Sequence, residues 1–204
     1  IILPDSVITV GGGAFGTNKL LERIVLSKNM TEITAGAFGC SDAQNWMANL
    51  TSIDIPEGIE TIGSNAFAGN NFSKIVIPST VKKIGNYAFS TKNYLKTSCT
   101  LELPEGLETI GSYAFRNKII ESVELPATVK KLPANTFTKE YSDATVGMVT
   151  KVYVTSSAQY HDKKNFPVSN YHKLYLTAKD EWTAEDFTYG EMTNQLYPSN
   201  DKND

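Results

Sequence analysis

The chain has 204 residues, 41% of them apolar and 20% charged, so it can bury a core and is not a wholly disordered polymer. Its net charge is −3, and no apolar run approaches the roughly 18 residues of a membrane helix, which argues against membrane insertion. Residues 1–179 hold 18 basic and 15 acidic residues and residues 180–204 hold one and seven, so no concentrated basic face speaks for nucleic-acid binding.

The chain opens on IILPDSV, with no basic n-region or cleavage site, so no signal peptide is legible. Leu3, Pro4, Val7, Val10, Gly11, Ala14 and Phe15 then begin a frame that recurs down the sequence. A second copy runs Ile24, Leu26, Met30, Ile33, Ala37, Phe38, with Ser27 in the proline slot and Thr34 in the glycine slot. The third runs Ile53, Ile55, Pro56, Ile59, Ile62, Gly63, Ala66, Phe67, and the fourth Ile75, Ile77, Pro78, Val81, Ile84, Gly85, Ala88, Phe89. The fifth runs Leu101, Leu103, Pro104, Leu107, Ile110, Gly111, Ala114, Phe115. The sixth runs Val123, Leu125, Pro126, Val129, Leu132, Thr136, Phe137, with Pro133 for glycine. A seventh keeps Val152, Val154 and Phe166 in phase, and Leu174 and Leu176 begin an eighth.

The paired apolar residues before each proline alternate with polar ones, as in a strand with one buried face. Proline ends the ladder because it has no N–H to donate. One such repeat cannot order itself alone, since backbone entropy costs roughly 1–2 kcal/mol per residue. Stacking buries both faces of each repeat and covers the deficit. The seven phenylalanines that close the frame (Phe15, Phe38, Phe67, Phe89, Phe115, Phe137 and Phe166) are therefore expected to form one internal stack, each repeat being one coil of a solenoid.

The third and fifth repeats share nearly the same dodecapeptide, PEGIETIGSNAF at 56–67 and PEGLETIGSYAF at 104–115. The connections from each phenylalanine to the next strand measure 9, 15, 8, 12, 8, 15 and 8 residues, so long and short alternate. Charge alternates too: PEGIET and PEGLET interleave with PSTVKK and PATVKK. A two-repeat unit is duplicated. Glu60, Lys82, Glu108 and Lys130 fall in one column and are expected to form a ladder of opposite charges, worth little at a solvated surface.

An apolar residue three positions before each strand (Leu21, Leu50, Phe72, Ile120, Val149, Tyr171; Ser98 departs) completes the frame L-x-x-L-x-L-P-x-x-V-x-x-I-G-x-x-A-F. This frame resembles the BspA-like, or Treponema pallidum-type, leucine-rich repeats over about residues 1–176. The resemblance implies a leucine-rich-repeat solenoid, a right-handed coil of about seven to eight turns. It implies a parallel β-sheet on one face and few or no long helices. It also implies a secreted or cell-surface bacterial protein that binds or adheres without catalysis, its partner a host or neighbouring-cell protein or glycan. A purely architectural spacer is the alternative. Residues 177–204 read as an irregular acidic tail or the start of a following module, since WTAEDFTYG resembles a segment that follows such repeats. With no capping segment before Ile1, the chain reads as a piece of something larger.

Chemistry-bearing motifs are sparse. GGGAFG at 11–16 satisfies G-x-G-x-x-G, but the repeat frame already accounts for Gly11, Ala14 and Phe15, and a dinucleotide loop needs a βαβ context. His161 and His172, the only histidines, match no zinc spacing, so no metal, cofactor or catalytic residue is expected. Cys40 and Cys99 lie two coils apart, about 10 Å, beyond the ~7 Å reach of a disulfide, and are expected to be free thiols.

The outward strand positions are the natural contact surface of a solenoid. They read Ile2, Val25, Asp54, Val76, Glu102, Glu124, Tyr153 and Tyr175, with Arg23, Ser52, Lys74, Thr100, Ser122, Lys151 and Lys173 in the column before. Tyr153, Tyr175, Lys151 and Lys173, with Asp54, Glu102 and Glu124, are the expected ligand-binding residues. Tyrosine and basic residues together suit protein or glycan contact.

Overall fold

A computed structural model describes residues 1–18, 20–39, 50–91, 98–133, 135–138 and 150–154, together with the backbone of 172–177 and 196–199. Its strands are short: β1 Glu32–Ile33, β2 Thr61–Ile62, β3 Lys74–Val76, β4 Lys83–Ile84 and β5 Thr100–Glu102. They continue as β6 Thr109–Ile110, β7 Ser122–Leu125, β8 Thr150–Val154, β9 His172–Thr177 and β10 Leu196–Ser199. Every pairing is parallel. The described residues contain no helix. The chain is the parallel leucine-rich-repeat solenoid that the frame implies.

Two strand columns run along the stack. One is the ladder β1-β2-β4-β6, built from the Ile before the glycine slot (Ile33, Ile62, Ile84, Ile110) and the residue before it. The other carries the strand face: bridges Ile2–Val25–Asp54, then the pair β3-β5, then β7-β8-β9-β10. The last of these, β10, lies within 177–204 and pairs Leu196 with Leu174 and Tyr197 with Tyr175.

Between the columns sits the core. Rings stack from Phe15 to Phe38 (5.3 Å), Phe67 (5.5 Å), Phe89 (5.2 Å), Phe115 (5.7 Å) and Phe137 (5.7 Å). Planes tilt by 7–19°, and Phe38, Phe67, Phe89 and Phe115 have no exposed surface. Phe166, expected to continue the stack, lies outside the described residues. Each buried ring contributes about 1.5–3 kcal/mol. Phe72 enters edge-on against Phe67 and Phe89 at 5.9 and 6.3 Å.

The Ala-Phe peptide of each coil does double duty. Its C=O accepts from the coil before and its N–H donates to the coil after: Phe15 to Ala37 (2.9 Å), Phe38 to Ala66 (2.9 Å), Phe67 to Ala88 (2.8 Å), Phe89 to Ala114 (2.8 Å) and Phe115 to Thr136 (3.0 Å). Coils are close enough here to dictate glycine. A Cβ on Gly63, Gly85 or Gly111 would lie 2.5 Å from the backbone nitrogen of Ala35, Ser64 or Asn86 in the previous coil. Two residues on, Asn65, Tyr87 and Tyr113 hold left-handed backbones (φ 57°, 57° and 58°), in the slot that Gly13 and Gly36 fill earlier. Tyr87 and Tyr113 offset that strain by stacking at 4.8 Å. Ser27, in the proline slot, is fully buried and accepts from the Asn29 N–H at 3.2 Å.

The charge column differs from the expectation. Lys82 and Glu108 stack in register through backbone bonds from Lys82 N to Glu60 O and from Glu108 N to Lys82 O, both 2.9 Å. Their charged ends form no ion pair among the described residues, and Lys130 Nζ donates instead to Ala127 O at 2.8 Å. Exposed side chains gain too little from pairing to hold two flexible chains in one geometry.

Candidate functional site

Alternation along the strands decides what the strand face presents. In β5 and β7 the pattern is exposed, buried, exposed, with Leu101 and Val123 inward and Glu102 and Glu124 outward. In β8, Val152 and Val154 are buried while Lys151 and Tyr153 are half-buried. Register then aligns the columns: Ser122–Lys151–Lys173 and Glu124–Tyr153–Tyr175. The tyrosine column goes on to Tyr197 in β10, a position that the repeat frame did not single out. The side chains of Lys173, Tyr175 and Tyr197 lie outside the described residues.

The strand face is not one continuous sheet. Among the described residues no strand pairing joins the third coil (53–55) to β3 or β5 to β7. Each gap is a shallow groove. One, of about 370 Å³, gathers three expected site residues, Glu102, Glu124 and Tyr153, over Leu101, Leu103 and Val123. The other, of about 510 Å³, holds Asp54 with Glu57, Lys74, Val76, Ser52 and Ser73. The two are equivalent under the two-repeat unit, since Asp54 becomes Glu102 and Val76 becomes Glu124 forty-eight residues on. Both follow an eight-residue connection, the short member of the alternation.

Charges on this face pair within a sheet segment. Lys74 Nζ meets Glu102 Oε1 at 2.8 Å, across β3-β5, and Arg23 meets Asp54 at 3.6 Å. Glu57 closes one end of the larger groove. Its carboxylate accepts from Ser79 Oγ (2.9 Å) and Ser79 N–H (3.2 Å), which hold its pKa below the usual carboxylate value.

Beneath the face lies a polar cluster that the repeat frame did not reveal. Lys118 is 2% exposed, and its Nζ donates to Asn70 O at 2.8 Å and sits 5.4 Å over the Phe72 ring. Burial pushes the ammonium down from 10.5 to about 8, opposed by Cys99. Asn70, itself fully buried, donates to Phe38 O and Phe67 O (2.9 and 3.1 Å) and accepts from Leu50 N–H (3.1 Å). Cys99 is a free, buried thiol whose pKa burial raises, and Cys40 lies outside the described residues. Lys118 stands three residues after the phenylalanine, where the unit forty-eight residues earlier has Asn70. That identity of slot was the only signal for it.

Among the described residues no cluster of three or more His, Cys, Asp or Glu could hold a metal. His161 lies outside them, and of His172 only the backbone in β9 is described. Nor is any described helix long and apolar enough to cross a membrane.

The family model for the BspA type leucine-rich repeat region matches six copies, over residues 1–48 and 41–143. The fold is similar to that of a leucine-rich repeat protein from Bacteroides ovatus ATCC 8483, with 20% identity and a TM-score of 0.57. The match covers 86% of this chain and 54% of that one, so the chain spans about half the length of that protein. No match is found among functionally curated proteins. With repeat frame, parallel coils and family model in agreement, the chain belongs to the BspA-type leucine-rich repeat family.

Proposed function

We propose that this chain is a non-catalytic binding module of a secreted or cell-surface bacterial protein, adhering to a protein or glycan through its strand face. The observation that carries this reading is the register Lys151–Lys173 and Tyr153–Tyr175, beside the groove of Glu102, Glu124 and Tyr153. Aromatic and basic side chains repeated at strand spacing, next to carboxylates, offer stacking and hydrogen bonding to one ligand. Tyrosine occupies this column in no coil before the seventh, so the repeat's own packing does not account for it.

An architectural spacer is the second reading. It draws support from the N-terminal part of the face, where Arg23–Asp54 and Lys74–Glu102 neutralise one another. An array of glycans and matrix proteins, probed with this chain and then with Tyr153→Ala and Tyr175→Ala, separates the two. The binding reading expects a hit that both variants weaken. A hit that both variants retain moves the site elsewhere, and a blank array favours the spacer.

A further inference from the structure

The turn before each buried phenylalanine holds one residue per coil in the left-handed backbone region. From the first coil to the fifth these are Gly13, Gly36, Asn65, Tyr87 and Tyr113, with φ of 75°, 67°, 57°, 57° and 58°. Shared backbone angles point their side chains the same way, from coils about 4.8 Å apart. Toward the first coil the column therefore steps down, from tyrosine to asparagine to glycine. Tyr87 stacks on Tyr113 at 4.8 Å with planes 11° apart, so its other face turns to the third coil. There the ring reaches past the end of the shorter Asn65 side chain. Among the described residues no ring or cation packs on that face, and the Asn65 amide makes no hydrogen bond. Beyond Asn65 the surface is open. A Cβ on Gly36 would meet only Gly13 N, at 3.9 Å, and one on Gly13 would meet nothing within 4 Å.

The turn itself asks for no aromatic ring. Glycine takes the left-handed backbone freely, whereas a bulky residue there is rare and strained. Tyr87 accepts that strain at a half-buried position, which points to a use beyond packing. The neighbouring column, Gly12, Ala35, Ser64, Asn86 and Ser112, is uncharged like this one.

We infer that the step from Tyr87 to Asn65 binds one neutral pyranose ring of a glycan. The site lies three residues beyond the β2-β4-β6 ladder, away from the strand face, and does not rest on the strand-face reading. The sugar's axial C–H bonds, carrying partial positive charge, meet the negative face of the Tyr87 ring. Two neighbouring hydroxyls donate to and accept from the Asn65 amide. The absence of charge in both columns suits an uncharged ligand.

The probe is methyl β-D-glucopyranoside, whose equatorial hydroxyls leave axial C–H bonds on both ring faces, followed by chemical shifts of this chain. The expected result is saturable shifts at Asn65 and Tyr87 in the millimolar range. Tyr87→Gly, which puts in this slot the residue that Gly13 and Gly36 already supply, should weaken binding about tenfold or more, and Asn65→Gly about threefold. Tyr87→Phe should stay within about twofold, because the ring face and not the hydroxyl binds. No shift well above millimolar probe, shifts confined to other residues, or equal binding by Tyr87→Gly overturns the inference. If circular dichroism shows that Tyr87→Gly misfolds, the wild-type shifts and Asn65→Gly decide. Tyr153→Ala should bind this probe as wild type does. If it does not, the sugar sits on the strand face, and this inference falls while the strand-face reading stands.

Discussion

Lys118 donates to the carbonyl of Asn70 at 2.8 Å, and the two residues occupy the same slot of units forty-eight residues apart. The duplicated unit thus grips its own earlier copy across the intervening coil, with Lys118 in the place of a buried amide. With lysine in the slot where the other copy has asparagine, a charge lies in the interior, and its consequences can be measured.

The unfolded chain holds the Lys118 proton up to 10.5, the folded chain only to about 8. Below the lower value the buried charge costs stability, on the order of 3 kcal/mol in full. Between the two values the unfolded state binds more protons, so stability rises with pH. Either form of the amine can donate to Asn70 O. Urea unfolding at pH 7, 9 and 10 should therefore show wild type gaining on Lys118→Met as pH rises. Parallel curves for the two would remove the buried charge from the account.

Phe89 is fully buried between Phe67 and Phe115, whereas Phe15 ends the described stack and is half-buried. Phe89→Ala should cost about 3–5 kcal/mol and Phe15→Ala distinctly less. Denaturant midpoints measure the difference, and equal losses would mean that stacking along the core is not what holds the coils.

Gly85→Ala places a methyl 2.5 Å from Ser64 N, in backbone that cannot move without separating two coils. A loss of about 1–3 kcal/mol is expected. Gly11→Ala, where nothing lies within 4 Å, is the control and should change little.

The Glu57–Ser79 contact latches one end of the larger groove. Because its carboxyl titrates below the usual carboxylate value, its contribution is present above the unfolded pKa and is lost as pH falls through the lowered folded value. Carboxyl chemical shifts should show Glu57 titrating low in wild type and moving up in Ser79→Ala. An unchanged Glu57 in that variant would assign the shift elsewhere.

Cys99 is buried, and burial raises its pKa, so it should react with a thiol reagent only at the rate of unfolding. An intact mass without reductant should show no two-proton loss from a Cys40–Cys99 bridge.

The fold was legible because its instructions repeat. Pro56, Ile62, Gly63 and Phe67 recur as Pro104, Ile110, Gly111 and Phe115, and each recurrence reports the same packing slot. The strand alternation that turns Glu102 and Glu124 outward was legible for the same reason. The grooves were not, because the eight-residue connection that precedes both of them also precedes β9, which pairs with β8 in full, so connection length does not mark them. Lys118 was hidden by its type: a lysine next to Ile119 and Ile120 reads as a surface residue until a neighbouring coil supplies a carbonyl and a ring. The column of Glu60, Lys82 and Glu108 was placed by register, but register fixes backbones and leaves long exposed side chains free.

The Ala-Phe peptides have a consequence of their own. Each accepts from the coil before and donates to the coil after, from Phe15 through Phe115 without reversal. Their dipoles therefore add along the stack, and each bond polarises the next. The sum is negative toward the first coil and positive toward the sixth, the opposite sense to an α-helix read from its N-terminus. The polarity belongs to this column alone, since the N–H groups of Lys82, Gly85, Glu108 and Gly111 point the other way, to the coil before.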